Sequence, residues 1–201
     1  MEELENAIKA INTGKSEDIY RLSIKNIIYA GEYFQLYMLD LIKNIISQYS
    51  IPELIKVGLL SPIYKNKGDK NDSKNYRGIV VLPILCKILE HIARNNFRTI
   101  LTKQQSPLQR GFTTNTSPLN AAVVIEEVYR EYSDRKAPFY LAFLDAKSAF
   151  DVVDIDILMR KLFLLGVQPS TWKIIDELHQ NTKTCVKWKQ QLLKPSPFIK
   201  E

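Results

Sequence analysis

Apolar residues recur at helical spacing along most of the first half of the chain. The spacing predicts a short helix over residues 1–12 and a longer helical region over 17–48, which Gly31 can interrupt. Ser16 followed by two acidic residues is typical of a helix start. Pro52 closes this region. The same spacing predicts later helices over residues 84–103, 119–132, 154–166 and 170–181.

Four short runs rich in β-forming residues lie between these helices. Residues 57–64 and 79–82 flank the polar segment KNKGDKNDSKN, so they predict a β-hairpin with four lysines at its tip. Residues 139–144, FYLAFL, are continuously apolar, which is typical of a strand buried on both faces. A last strand is predicted over residues 184–188. Strands and helices in this order indicate an α+β fold with helices packed on a sheet.

The composition is compatible with binding to a polyanion but does not by itself identify a function. Lysine and arginine exceed aspartate and glutamate by 28 to 22, and the net charge of +6 suits a polyanionic partner. The acidic, amphipathic N-terminus is not a secretory signal, and no apolar run approaches membrane-spanning length. Cys86 and Cys185 are isolated in apolar surroundings, as expected for free thiols in a reducing compartment. We expect an intracellular protein, in the nucleus or the cytoplasm, with no membrane contact and no obligate protein partner indicated.

The segment FLDAKSAFD, residues 143–151, carries the most specific chemistry in the chain. Asp145 follows the predicted buried strand, and a carboxylate there needs a hydrogen bond or a metal to offset its burial. Nucleotide polymerases use such an acid to hold two magnesium ions roughly 3.5–4 Å apart. They also place an aromatic residue, here Phe150, where it excludes a ribose 2′-hydroxyl. Taken alone, the segment fits equally a turn at Asp145, a core aromatic at Phe150 and a helix cap at Asp151.

Residues 62–92 contain a strand ending in lysine, a basic loop, an aromatic–Arg–x–Ile motif and a helix with Lys and Glu three residues apart. This order resembles the reverse transcriptases of non-LTR (LINE-type) retrotransposons, in which the motif reads aromatic–Arg–Pro–Ile. The glycine in place of the usual proline loosens the backbone locally and leaves the arginine in place. The matching residues are Lys65, Tyr76, Arg77, Gly78, Ile79, Lys87 and Glu90.

Further segments match the same family in the same order. Residues 109–122 are similar to its Gln–x–Gly–Phe segment and the following helix, through Gln109, Gly111 and Phe112. Residues 143–167 are similar to its first catalytic motif. The upstream region of the family is matched by residues 11–18 and 50–65. The resemblance therefore covers nearly the whole chain, which is identified as a member of this family.

The resemblance implies a right-hand polymerase fold that copies RNA into DNA with an RNA template, a DNA primer, deoxynucleoside triphosphates and two Mg²⁺ ions. Three parts are expected: a helical N-terminal extension over residues 1–49, fingers and the start of the palm over 50–135, and part of the palm over 136–201. Asp145 would be catalytic and bind metal. The nucleotide would contact Lys65 (or Lys67 in its place), Arg77, Ala146 and Phe150, with support from Asp151, Gln109, Gly111 and Phe112.

The family's next motifs, a Gly–x–x–Gln–Gly segment and an aromatic–x–Asp–Asp hairpin, do not occur before the sequence ends. We therefore expect a truncated, incomplete palm that binds magnesium weakly and does not extend a primer alone. Two interpretations stay open: a domain that is catalytic in an intact parent protein, or a degenerate, non-catalytic remnant with at most nucleic-acid binding. Trp172 and Trp188 are expected in the core, although either ring could stack on bases.

Overall fold

The computed structural model describes residues 2–146, 148–188, 191–193 and 196–197. These ranges contain helices of different lengths and five strands, joined by loops and 3-10 turns. The helices are α1 (Glu2–Ala10), α2 (Ile24–Tyr29), α3 (Glu32–Gln48), α4 (Ile84–Gln104), α5 (Pro118–Asp134), α6 (Ile155–Leu164) and α7 (Pro169–His179). The strands are β1 (Val57–Tyr64), β2 (Tyr76–Val81), β3 (Lys183–Trp188), β4 (Gln191–Leu192) and β5 (Ser196–Pro197).

Helix α1 matches the short helix predicted over residues 1–12, but the second helical region begins later than the predicted residue 17, because Ser16 does not start a helix. Helix α2 begins after Ser23, and Gly31, with φ of 85°, separates α2 from α3 as predicted. Asp18 turns the chain instead: its Oδ1 accepts hydrogen bonds from the backbone N–H groups of Tyr20 and Leu22, both at 2.9 Å. A side-chain acceptor that closes a local turn competes with helical hydrogen bonding, so the acidic residues after Ser16 form a loop.

The sheet is built around β1, whose bounds are those predicted. Strand β2 pairs antiparallel with β1 from Leu59–Val81 to Tyr64–Tyr76, which confirms the predicted hairpin, although β2 begins at residue 76 and not 79. Strand β3 pairs parallel with β1 on its other side and antiparallel with β4 and β5. Residues 73–75 form a 3-10 turn that leads directly into β2. Helices and a small mixed sheet together confirm an α+β architecture.

Two clusters of buried apolar side chains pack helices of the chain against one another. The larger cluster joins the N-terminal helices to α4 and α7, with Leu4, Ile88 and Leu89 among its least exposed members. The smaller cluster joins α4 to α6 and α7 through residues such as Ala93 and Met159. Helices α4 and α7 belong to both clusters, so these two helices connect the two parts of the core.

The chain divides into two compact units, residues 1–100 with 154–201, and residues 101–153. The first unit contains the sheet and both apolar clusters. The second contains α5 and the loops on either side of it. The assignment of residues 1–49, 50–135 and 136–201 to an N-terminal extension, fingers and palm stays a prediction. Among the described residues, no helix combines the length and the apolar character needed to cross a membrane.

Residues 139–144 do not form the buried strand that the sequence predicts. Their backbone has no regular structure, Phe143 is 78% exposed, and Leu144 is fully exposed. Within this run Phe139 is half-buried, with its ring 5.6 Å from that of Tyr132 and 6.0 Å from that of Tyr129, both in α5. A buried strand needs neighbouring strands for its N–H and C=O groups. Among the described residues, the unit that contains this run has no strand, so the run has no strand within its own unit to pair with.

Candidate functional site

The β1–β2 hairpin places Lys65 and Arg77 on one face. The Lys65 N–H donates to the Asn75 carbonyl (2.8 Å), and Arg77 lies opposite Ile63. Ile63 and Arg77 share a face of the hairpin, because side chains alternate between faces along each strand. Lys65 directly follows β1, and its bond to Asn75 continues the ladder by one pair, so we infer that Lys65 lies on the same face. Lys65 and Arg77 are then diagonal neighbours, for which a separation of about 7–8 Å is usual. The register thus brings two cationic side chains together that are 12 positions apart in the sequence.

Arg77 is exposed, and among the described residues its guanidinium has no hydrogen-bond or ion-pair partner. Its five N–H donors are therefore open to a ligand with planar or tetrahedral oxygen groups. The neighbouring Gly78 does not adopt a left-handed conformation. Because hydrogen-bonded pairs alternate along an antiparallel ladder, Gly78 takes a position whose N–H points away from β1. The proline that the family usually has at this position would therefore remove no hydrogen bond between the strands.

The basic loop between β1 and β2 is held by its own side chains. The hydroxyl groups of Tyr64 and Tyr76 donate to the carbonyls of Gly68 (2.5 Å) and Lys70 (2.9 Å). The Lys65 ammonium donates to the Lys74 carbonyl (2.7 Å) and keeps two further N–H donors. Lys67 is exposed in the same loop. Because these bonds fix the loop backbone, the lysine side chains of the loop start from fixed backbone positions.

In the second unit, the Gln–x–Gly–Phe segment contacts the FLDAKSAFD segment. The rings of Phe112 and Phe150 meet edge to face, with centroids 5.9 Å apart and an interplanar angle of 87°. Gln109 Nε2 donates to the Gly111 carbonyl (3.0 Å), which closes the turn that presents Phe112. Phe112 is 96% exposed and Phe150 is 78% exposed, so neither is a core aromatic. The structure therefore brings together two motifs that the sequence only showed to be in the right order.

Asp145 and Ala146 lie in exposed backbone directly before that contact. Asp151 does not cap helix α6: its N–H donates to the Ser148 carbonyl (2.9 Å), whereas Asp154 Oδ1 accepts from Ile157 N–H (3.0 Å) at the start of the helix. Among the described residues, no three carboxylate, histidine or cysteine side chains come together as metal ligands. The described side chains thus do not fit a complete two-magnesium site, because Asp145 is not joined there by two further potential ligands.

The two tryptophans differ in their surroundings. Trp172 is half-buried, and its indole N–H donates to the Met159 carbonyl (2.7 Å), which confirms the expected packing role. Trp188 is 45% exposed, so the expectation that it lies in the core is wrong. It stands near the end of the sheet, where its ring contacts that of Tyr76 edge to face at 5.6 Å. The reason is its place at the end of β3, beyond the four residue pairs that β3 forms with β1.

Asp18 anchors the helix that follows the hairpin, a role that the sequence did not predict. It is buried, and its Oδ2 accepts from the backbone N–H of Ile84 (2.9 Å), the first residue of α4. This bond anchors the helix that directly follows β2. A signal was present in the sequence: Leu82 and Pro83 precede α4, and neither side chain can cap a helix. A helix start without a local acceptor requires one from elsewhere in the chain.

Comparison with protein families matches residues 65–196 to the family described as reverse transcriptase (RNA-dependent DNA polymerase). The match begins at Lys65 and includes Arg77, the Gln–x–Gly–Phe segment and Asp145. It spans about two thirds of the chain. A comparison with curated individual proteins gives no match. The chain therefore belongs to the reverse transcriptase (RNA-dependent DNA polymerase) family.

Proposed function

We propose that this chain supplies the fingers and part of the palm of a non-LTR retrotransposon reverse transcriptase, which copies an RNA template into DNA. Reverse transcriptases as a family bind an RNA template, a DNA primer and deoxynucleoside triphosphates. The non-LTR assignment is supported by the basic loop, the aromatic–Arg motif and the Gln–x–Gly–Phe segment in their order along the chain. The fingers would occupy residues 50–135 together with the start of the palm, and the palm would continue over 136–201.

The observation that carries the proposal is the shared face of Lys65 and Arg77 on the hairpin. A triphosphate is a chain of negatively charged oxygen groups, and two cations on neighbouring positions of one face can engage different phosphates of one nucleotide. Arg77 offers paired donors to one phosphate, whereas the Lys65 ammonium acts as a point charge. The fixed loop backbone reduces the conformational entropy lost when the nucleotide binds.

The roles in the second unit follow from the motif. Asp145 would supply one metal-binding carboxylate, and Phe150 would exclude ribonucleotides by contact with a 2′-hydroxyl. The edge-to-face contact with Phe112 supports the second role, because it limits the directions in which the Phe150 ring can turn. Gln109 and Gly111 support Phe112 through the turn that they close. Ala146 and Asp151 lie beside these groups along the chain.

Nucleotide binding tests the proposal directly. We expect the chain to bind dTTP in the presence of an RNA–DNA hybrid, and Arg77→Ala to weaken that binding by at least about tenfold, as for the loss of a hydrogen bond to a charged group. Arg160→Ala is the matched control, because Arg160 is an exposed arginine of α6 outside the hairpin. Equal affinities in both variants would reject the assigned role. Binding of the hybrid without any binding of dTTP would favour the alternative, a nucleic-acid-binding protein without polymerase function.

A further inference from the structure

The face of the hairpin opposite Lys65 and Arg77 carries a groove of about 450 Å³. Alternation along the strands places Tyr76 and Gly78 on this face together with Leu60 and Pro62 of β1. Its volume is within the range of about 300–1,000 Å³ that small-molecule sites occupy. We call it the aromatic groove, because Tyr76 and Trp188 line it.

Gly78 contributes to the aromatic groove by having no side chain. A Cβ atom at this position would lie 3.3 Å from Leu60 Cδ1, so a larger residue would crowd the floor. The usual proline of the family would place its ring there as well. The aromatic groove thus depends on the glycine at residue 78, the position at which this chain differs from the aromatic–Arg–Pro–Ile motif.

The walls of the aromatic groove suit a flat, unsaturated ring. The Tyr76 and Trp188 rings meet at an interplanar angle of 63°, and Tyr64 continues the row, 5.5 Å from Tyr76. Trp188 is 45% exposed, so part of the indole is open to solvent beside the groove. Tyr64 and Tyr76 are half-buried, and Trp188 is the most open ring of the row. Unpaired bases stack on aromatic rings that are open to solvent, with little dependence on sequence.

The rim of the aromatic groove favours a polyanion. Lys70 lines the groove, and its ammonium lies 5.7 Å from the centroid of the Tyr64 ring. The loop carries four lysines against two aspartates. Both aspartates are engaged within the loop: Asp69 accepts from Asn71 N–H (2.9 Å) and Asp72 from Lys74 N–H (3.0 Å). The excess of lysines leaves the loop with a net positive charge, which argues for phosphate groups beside the stacked base.

We propose that the aromatic groove binds an unpaired base of single-stranded RNA, with Trp188 and Tyr76 contacting the base and Lys70 contacting the adjoining phosphate. The inference rests on the proposed function, since a reverse transcriptase acts on an RNA strand. The site is distinct from the Lys65 and Arg77 face, because the two lie on opposite sides of one hairpin. A duplex keeps its bases stacked inside the helix, so it cannot fill the groove in the same way.

Fluorescence of Trp188 tests this site. The chain has two tryptophans, so a Trp172→Phe background leaves Trp188 as the reporter. We expect oligouridylate to quench this fluorescence saturably, and a duplex RNA of equal length not to do so. In the same background, we expect Trp188→Ala to bind labelled oligouridylate roughly 5- to 150-fold more weakly, as for the loss of one stacked base, and Trp188→Phe to retain most of the affinity.

Three controls separate the groove from other effects. Ile79→Ala changes an exposed residue on the opposite face of the same strand and should leave RNA binding unchanged. Trp188→Ala should leave dTTP binding unchanged, so a failure of the proposed function is visible separately. Lys70→Glu, a change in an exposed loop, should weaken RNA binding even if Trp188→Ala does not fold. No quenching at low salt, or equal quenching by duplex RNA, would overturn the proposal.

Discussion

Lys56 carries a buried ammonium group whose carboxylate partner belongs to another element. Its Nζ lies 2.7 Å from Glu177 Oε1 in α7 and 3.4 Å from the Glu177 carbonyl oxygen, and the Lys56 side chain is 2% exposed. In such surroundings an unpaired charge is far more costly than the pair is stabilising. The pair therefore fixes the residue before β1 to α7 and requires both partners to be present.

Removal of the Glu177 carboxylate tests whether the buried Lys56 charge depends on it. We expect Glu177→Ala to lower the free energy of unfolding by about 3–5 kcal/mol, because it leaves the Lys56 charge buried and uncompensated. Urea denaturation measures the change. Glu53→Ala is the matched control, since Glu53 pairs with Lys183 at the same 2.7 Å on the surface. That variant should differ little from the wild type. Equal losses in the two variants would contradict the account.

Burial in α4 raises the pKa of the Cys86 thiol to about 12, and the nearby Glu90 carboxylate adds to the rise. The unfolded chain releases this proton at a pH of about 8.5. The stability associated with the neutral thiol is therefore complete below about pH 8.5 and is lost as the pH rises towards 12. The same burial leaves little thiolate for reaction at neutral pH.

We accordingly expect iodoacetamide to modify Cys86 only after unfolding, and the urea midpoint to fall as the pH rises from about 9. Mass spectrometry of the alkylated protein and urea curves at several pH values measure the two effects. In Cys86→Ala the decline in midpoint should be shallower than in the wild type. Rapid alkylation of Cys86 in the folded protein, or identical pH profiles, would show that the thiol is accessible.

Single residues were the hardest features to predict from the sequence. Asp18 looks like part of a helix start, yet it accepts from Ile84 N–H, 66 positions further along the chain. Trp188 looks like a core residue, yet it is half exposed beside Tyr76. Both errors have one cause: a local pattern gives the type of element, whereas the partner of a side chain depends on which elements come together in three dimensions.

At the scale of elements, the hairpin depends on close packing across its strands. A Cβ atom at Gly58 would lie 2.5 Å from Val80 Cγ1. Real structures do not show such a contact, so any side chain at residue 58 must displace Val80 or the strand. The hairpin thus uses a glycine for close approach, and not for a special backbone conformation.

This close packing predicts that a substitution at Gly58 destabilises the protein and that a second substitution at Val80 partly restores its stability. We expect Gly58→Ala to lower the free energy of unfolding by about 1–3 kcal/mol, as for overpacking of a core. The double variant Gly58→Ala, Val80→Ala should recover part of that loss, because it removes the atom that the new methyl group meets. Urea denaturation of both single variants and the double variant measures the coupling. Strictly additive effects would mean that the two residues do not meet.

Elements with both a pattern and a partner were predicted well. Strand β1 has the predicted bounds, and α4 differs from the prediction by one residue at its end, 104 against 103. Residues 139–144 have the apolar pattern of a buried strand, but the described part of their own unit contains no strand to pair with, and they form none. An apolar run therefore predicts that a segment will be buried. It does not predict that the segment will form a strand, because a strand needs a neighbouring strand to complete its backbone hydrogen bonds.

At the scale of the whole molecule, the order of the motifs indicates the family, whereas the fold shows which motif residues are neighbours. The order of the motifs led to the reverse transcriptase family, and the family match over residues 65–196 confirms it. The sequence could not show that Lys65 and Arg77 share a face, because that follows from the hairpin register. Nor could it show that Phe112 contacts Phe150. The motifs therefore identify the candidate site residues, and the fold shows which of them lie next to each other.

The central claim is that the Lys65 and Arg77 face of the hairpin binds the triphosphate of an incoming nucleotide. Calorimetric titration of dTTP and of thymidine into the wild type and into a Lys65→Ala, Arg77→Ala double variant tests it most directly. We predict that the double variant binds dTTP roughly 100-fold or more weakly, as for two hydrogen bonds to charged groups, while thymidine binding is unchanged. Equal dTTP affinity in the two proteins, with the hairpin folded in both, would contradict the claim.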